Sequence, residues 1–334
     1  QWAPVSWLKF RGIYNKAARA PSIVELFQNG DQGFPGYTDP CADTARRTSA
    51  ILAICRAQAP FVDFTGFAAN NTQVQAFAFG NPNLKEETAK TWTVGAVLTP
   101  NIGIGRFSAT IDYYDIKIAD IISPQGSAFY IANCSANGFG SDACNRIVRN
   151  QQSGQIDAIN TSISNGGTYK TAGVDAQINF AVPFADLGLG IPGRLRLNEN
   201  ISYLRKLDFG LTAVPNAAGY NFGGIGGTYP KWKSTLTTAY DSDSFTAQLR
   251  WNYLSSTIDY LGAANDGKLP ALSYFDLSLR KKIGSNFEIT GIIQNLFNAK
   301  YHQTVNGDQG GVETAYYNPI ILGRYFTISA KVKL

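Results

Sequence analysis

The chain has no methionine and a single histidine, His302, among its 334 residues. It also has no run approaching the roughly 18–20 apolar residues that a membrane-spanning helix requires. With one histidine, a His-based catalytic triad has only one option, and nothing singles out a nucleophile beside it; no catalytic residue is assigned. No basic run points to nucleic acid: the net charge is +5, and the charges are spread along the chain. No secretory leader pattern is present, and position 1 is Gln, so the chain is expected to be processed or a fragment. The four cysteines fall in two close pairs, Cys41/Cys55 and Cys134/Cys144, in loop-like stretches. Zinc sites favour C-x-x-C spacing with added histidine, so no metal or cofactor is expected. Two local disulfides, Cys41–Cys55 and Cys134–Cys144, fit an oxidising compartment; four free thiols are the alternative.

What is abundant is period-two alternation. In Phe245–Tyr253, one face carries Phe245, Ala247, Leu249, Trp251 and Tyr253, and the other carries Thr246, Gln248, Arg250 and Asn252. Side chains alternate across a strand, so this segment has one apolar and one polar wall. The pattern predicts ten strands, near 7–16, 91–99, 106–118, 169–181, 194–205, 231–240, 245–253, 272–283, 287–297 and 323–334. Glu199 falls on the apolar face of the fifth and counts against that register. Connections alternate strictly between long and short, as in bacterial membrane barrels with short periplasmic turns and long external loops. Trp92, Trp232, Trp251 and Tyr253 lie at loop ends and Trp7, Tyr240 and Phe245 at turn ends, where two interfacial girdles would be. The expected fold is all-β, an antiparallel transmembrane β-barrel. Hydrophobic content of 44% suits a barrel with a polar lumen.

The predicted inward face is basic: Lys9, Arg11, Arg194, Arg196, Lys233, Arg250, Arg280, Lys282, Lys331 and Lys333 against Asp112, Asp175, Asp276 and Glu288. The long loops, near 17–89, 119–168, 207–230, 255–271 and 298–322, are the expected vestibule, because binding residues concentrate on loops held by a rigid scaffold. Aromatics with polar neighbours are the candidate ligand-binding residues: Tyr220, Phe222, Tyr229, Tyr260, His302, Tyr316 and Tyr317. The alternative is that each packs the loops or anchors at the interface.

Three segments resemble one family. Arg19-Ala-Pro-Ser22 followed by Glu25-Leu-Phe27, then Asn81-Pro-Asn-Leu-Lys-Glu-Glu87, then Asn295-Leu-Phe-Asn298 with Tyr301 are similar in order and spacing to segments of TonB-dependent outer-membrane receptors. Glu86 stands where that family usually has Pro, and Leu334 where it usually ends in Phe or Trp. The Asp112–Lys117 strand and the cysteine-bearing loop after it resemble a cysteine-containing branch.

The resemblance implies about ten C-terminal strands of a 22-stranded barrel. An N-terminal plug and a TonB-contacting segment would lie outside this chain. It implies residence in the bacterial outer membrane of a Gram-negative cell as a multi-pass barrel, and energised import of a scarce large nutrient, a ferric siderophore or an oligosaccharide, with no enzymatic role. Implied partners are the TonB complex, the plug and remaining strands, membrane lipid and the ligand. A passive pore, a ten-stranded barrel enzyme and a soluble β-protein are the competing readings. Ligand identity is not encoded in any motif.

Overall fold

The computed structural model describes residues 1–43, 45, 47–210, 215–222, 227–260, 267–300, 320 and 322–332. Its first strands are β1 (Trp2–Val5), β2 (Leu8–Arg19), β3 (Asp31–Gly33), β4 (Gln75–Phe79), β5 (Glu87–Leu98), β6 (Arg106–Ala119), β7 (Ile122–Pro124), β8 (Ile147–Arg149), β9 (Ile156–Asn165) and β10 (Thr168–Pro183). They continue with β11 (Arg194–Asp208), β12 (Tyr220–Asn221), β13 (Trp232–Asp241), β14 (Phe245–Leu254), β15 (Thr257–Asp259), β16 (Lys268–Leu269), β17 (Leu272–Ile283), β18 (Phe287–Gln294) and β19 (Tyr325–Val332). Four short helices are α1 (Ile23–Phe27), α2 (Ser49–Gln58), α3 (Ser127–Asn137) and α4 (Asp142–Asn145).

The chain divides into two compact units. The first comprises Gln1–Lys16, Lys90–Lys117 and Tyr169–Leu334; the second comprises Ala17–Ala89 and Ile118–Thr168. The first is built on an 11-stranded sheet in the order β1-β2-β5-β6-β10-β11-β13-β14-β17-β18-β19. Ten of these strands are the ten that the alternation predicts. The eleventh, β1, is a short hairpin partner of β2, too brief to show a period. Strands adjacent in this order are joined alternately by short turns, as between β5 and β6, β13 and β14, and β17 and β18, and by long connections, as between β2 and β5 and between β6 and β10. In the β5–β6 turn Gly105 has φ +60°, and a Cβ there would lie 2.4 Å from the Ala181 carbonyl oxygen, so only glycine fits.

The register keeps the two walls apart. Leu249 faces Leu277 and Trp251 faces Phe275 on the outward side, while Arg250 faces Asp276 on the other. Among the described residues no hydrophobic cluster packs on the outward wall of this sheet; Val94, Ile111, Phe326 and Ile328 are exposed there. A soluble sandwich would cover such a face. Aromatic contacts gather at both ends of the strands: Tyr240 packs against Phe184 and Phe245 at the turns, and Trp251 against Tyr253 and Phe275 toward the loops. Glu199 keeps its outward position between Ile178 and Leu236, and the Ser234 hydroxyl donates to its carboxylate. The register therefore stands, with the charge partly satisfied locally.

The two longest predicted loops fold into the second unit, which the sequence did not announce. β4 pairs in parallel with β9 from Gln75↔Ala158 to Phe79↔Ser162, and β3, β7 and β8 extend this sheet. Both expected disulfides form, Cys41–Cys55 and Cys134–Cys144, and each pair is buried. Tyr130, Ile131, Cys134, Cys144, Ile147 and Ile159 form one core, and Cys41, Cys55, Ala59 and Phe64 another. No helix among the described residues is long and apolar enough to cross a membrane.

Candidate functional site

Alternation aims the polar half of each long strand at one side, and the structure groups these side chains into two concavities. One, of about 720 Å³, is lined by Arg106, Ser108, Asn179, Asn198, Thr237 and Arg250 among others. The other, of about 480 Å³, takes in Arg11, Asp112, Asp175, Ser202, Lys233 and Thr235. Cross-strand pairing ties the wall together. Arg11 Nε donates to Asp112 Oδ1 at 2.7 Å, Ser202 Oγ to Asp175, and Asn198 Nδ2 to Asn179 Oδ1. Arg196 pairs with Asp241, and Arg194 lies 3.7 Å from the same carboxylate. Asp241 is a partner that the sequence reading left in a turn. Arg250 and Asp276 face each other in register, as do Glu288 and Lys331. The inward wall is thus polar and cation-rich. Among the described residues no group of His, Cys, Asp and Glu could hold a metal ion.

Four of the predicted ligand residues come together at the loop ends of this unit. β12, β15 and β16 form a small three-stranded sheet that brings Tyr220 beside Ile258 and Asn221 beside Asp259. Phe222 packs against Tyr220, Tyr229 and Tyr260, with ring centroids 6.1, 6.3 and 5.0 Å away. Phe209 and Tyr169 extend the cluster; neither was foreseen, although Tyr169 opens one predicted strand and Phe209 lies just past another. Phe222 is only 4% exposed and serves as core, whereas Tyr260 is 42% exposed and presents its ring. Burial pushes the Tyr229 phenol up from its ordinary value, so it remains a protonated donor. His302, Tyr316 and Tyr317 lie outside the described residues, as does most of the Gly223–Gly227 stretch.

The family-like motifs build a clamp within the second unit. Ser22 caps α1 by accepting from the Glu25 N–H, while the Glu25 carboxylate accepts from the Ser22 N–H, a reciprocal capping box. Arg19 grips both oxygens of Glu25 at 3.0 Å and Glu87 at 2.6 Å, and Glu87 also accepts the Ile122 N–H. The first two motifs are therefore one structure. Gly80 seals the join: a Cβ there would fall 2.6 Å from the Phe27 and Gln28 nitrogens. The third motif is a local turn, in which Asn295, with φ +51°, holds Ala299 by two hydrogen bonds.

Arg19, and then the Ser22 N–H, hold the Glu25 carboxyl down at about 2, from an ordinary 4.5. A carboxyl depressed in the folded state stabilises it above its unfolded value and loses that contribution as pH falls toward the folded value. The clamp is expected to be intact at pH 5 and to loosen between about pH 4.5 and 2. Protection of the Ser22 and Leu26 amides, taken relative to the intrinsic exchange rate at each pH, should fall in that window, and Glu25→Gln should flatten this pH response; protection that stays constant to pH 2 in the wild type would contradict it.

A family model described as TonB dependent receptor-like, beta-barrel, matches residues 1–296. Among solved structures, a point mutant of the ferric enterobactin receptor PfeA from Pseudomonas aeruginosa is 15% identical with a TM-score of 0.61, covering 99% of this chain and 39% of that one. The siderophore receptor PirA from Acinetobacter baumannii is 13% identical with a TM-score of 0.59, covering 99% and 40%. The hemophore receptor HasR of Serratia marcescens, solved with its hemophore HasA and heme, is 15% identical with a TM-score of 0.53, covering 100% and 38%. The chain thus spans about two-fifths of the length of these receptors. No curated protein sequence matches it.

Proposed function

Because the chain belongs to the TonB-dependent receptor-like β-barrel family of the outer membrane, we propose that it is the C-terminal portion of a receptor that imports a scarce, large nutrient by energised uptake. The cargo class is a ferric siderophore. Its neighbours are named as siderophore and hemophore receptors rather than enzymes. The single observation carrying the reading beyond family membership is the pairing of an uncovered apolar wall with a polar, cation-rich opposite wall in one sheet.

The sheet order begins at β1 and ends at β19, and neither outer edge is paired among the described residues. Unpaired backbone groups are costly in lipid, so these strands belong to a larger closed barrel. The inward cations Arg106, Arg250 and Lys233 suit an acidic plug surface in the lumen, and the TonB contact belongs to a segment beyond that plug. Tyr260, exposed on the aromatic cluster, is the ligand-facing ring; Phe222 beneath it sets its position.

Uptake of radio-iron as a siderophore complex by cells carrying the full-length receptor tests this. Uptake should stop when the proton-motive force is collapsed, and the receptor should conduct almost no ions in a planar bilayer. Tyr260→Ala should weaken ligand binding by about five- to tenfold, the ordinary cost of truncating one aromatic anchor. Uptake that survives de-energisation, together with a large steady conductance, would make the protein a passive pore.

A further inference from the structure

At the loop ends of the outward wall, aromatic residues give way to cations. Tyr14 and Trp92 pack at a tilt with ring centroids 4.5 Å apart, and the Lys16 ammonium lies 6.0 Å above the Tyr14 ring. Tyr203 and Trp232 pack in the same tilted way at 4.4 Å. The facing follows from the inward side, where Ile13, Thr93, Tyr114 and Ile116 line one concavity. By alternation Tyr14 and Lys16, Trp92 and Lys90, and Tyr113, Asp115 and Lys117 face outward. On β10, Lys170 follows the outward Ala172 and Val174.

β11 adds a specific device. Its register against β10 steps from Gly173↔Leu204 to Ala172↔Lys206, leaving Arg205 as the extra residue of a β-bulge. A bulge re-aims side chains by setting two residues against one. Here two consecutive cations, Arg205 and Lys206, oppose one alanine. Arg205 donates to the Tyr113 hydroxyl at 3.2 Å, across the intervening strand. Lys206 and Lys170 stand 3.9 and 4.0 Å from Asp208. On five adjacent strands, β2-β5-β6-β10-β11, the rim thus carries Lys16, Lys90, Lys117, Lys170, Arg205 and Lys206 against Asp115 and Asp208. Simple snorkelling of long side chains would need neither a bulge nor this clustering.

We propose that this rim binds the phosphate groups of an outer-leaflet lipid headgroup. The cations supply the charge, and Arg205 a planar fork suited to phosphate oxygens. A lipid is favoured over a free anion because the exposed apolar side chains Val94 and Ile111 continue directly below the rim, where acyl chains would lie. The proposal goes beyond nutrient uptake and does not depend on which nutrient is carried.

The test uses the full-length receptor in phosphatidylcholine nanodiscs, titrated with a phosphorylated outer-membrane glycolipid, with the same glycolipid after dephosphorylation, and with inorganic phosphate. Each cation near an anionic lipid surface is worth roughly fivefold in affinity, so Arg205→Gln with Lys206→Gln should weaken glycolipid binding by about 25-fold. Dephosphorylation should cost the wild type at least as much, and inorganic phosphate should not displace the lipid. A second variant, Lys16→Gln with Lys117→Gln, leaves the bulge untouched and should also weaken binding. Heat-modifiable migration on gels confirms that each variant is folded. Unchanged affinity in folded variants, or displacement by inorganic phosphate, would overturn the assignment.

Discussion

Asp39→Ala is expected to unfold the unit formed by Ala17–Ala89 and Ile118–Thr168, at a cost of about 3–5 kcal/mol. The Asp39 and Arg149 side chains are 0% and 2% exposed, and they pair through both oxygens at 2.7 and 3.0 Å. Asp39 also accepts the Cys41 N–H, while Arg149 donates to the Gly154 carbonyl and to Gln58 and lies over the Phe64 ring. The pair therefore links the Cys41–Cys55 segment, α2 and the β8–β9 turn. Removing the carboxylate leaves a buried guanidinium without its counter-charge, a penalty that exceeds the net worth of the pair. Replacing both residues, as Asp39→Leu with Arg149→Met, should recover most of the loss. The checks are proteolysis and hydrogen exchange of this unit in the full-length receptor. Equal protection in Asp39→Ala and wild type would mean that water already reaches the guanidinium.

Nothing in the sequence marked Asp39 or Arg149, and the reason is physical. Their pairing spans 110 positions and joins two segments that each read as Gly/Asn/Ser-rich loop. Ile156, Ile159, Thr161 and Ile163 are buried, but their pattern breaks between Ile156 and Ile159, so no clean period of two appears. The parallel β4–β9 pairing is equally non-local. The barrel strands are the opposite case: each wall meets a different solvent, and period two is imposed residue by residue. That is why ten strands were legible, and why β1, four residues long, was not. The arginine and glutamates of the clamp were legible as motifs but not as partners. Of the candidate ligand residues, Tyr220, Phe222, Tyr229 and Tyr260 converge, yet Phe209 and Tyr169 complete their cluster from strand ends where aromatics read as membrane anchors.

Leu249→Arg and Gln248→Arg are adjacent substitutions with opposite expected results. Leu249 lies midway along β14, flanked by Ala247 and Trp251 on its own face and paired with Thr238 and Leu277. It is 37% exposed, and no hydrophobic cluster covers it. An arginine at the bilayer midplane on the lipid side costs about 2–4 kcal/mol. Gln248 points to the polar wall, lines the same concavity as Arg250, and would place a new guanidinium in water at little cost. Glu199 shows how the outward wall tolerates one charge: a carboxylate is penalised less than a guanidinium there, and Ser234 already supplies a donor. Leu249 has only the single Thr238 hydroxyl and the apolar Leu277 opposite it, too little to satisfy the five N–H donors and the charge of a guanidinium. The measurement is the folded, heat-modifiable fraction of full-length receptor refolded into vesicles, read as a urea midpoint. The Leu249→Arg midpoint should fall while that of Gln248→Arg stays near wild type. Equal midpoints would remove the solvent difference between the walls, and with it the physical basis for placing this sheet in a membrane.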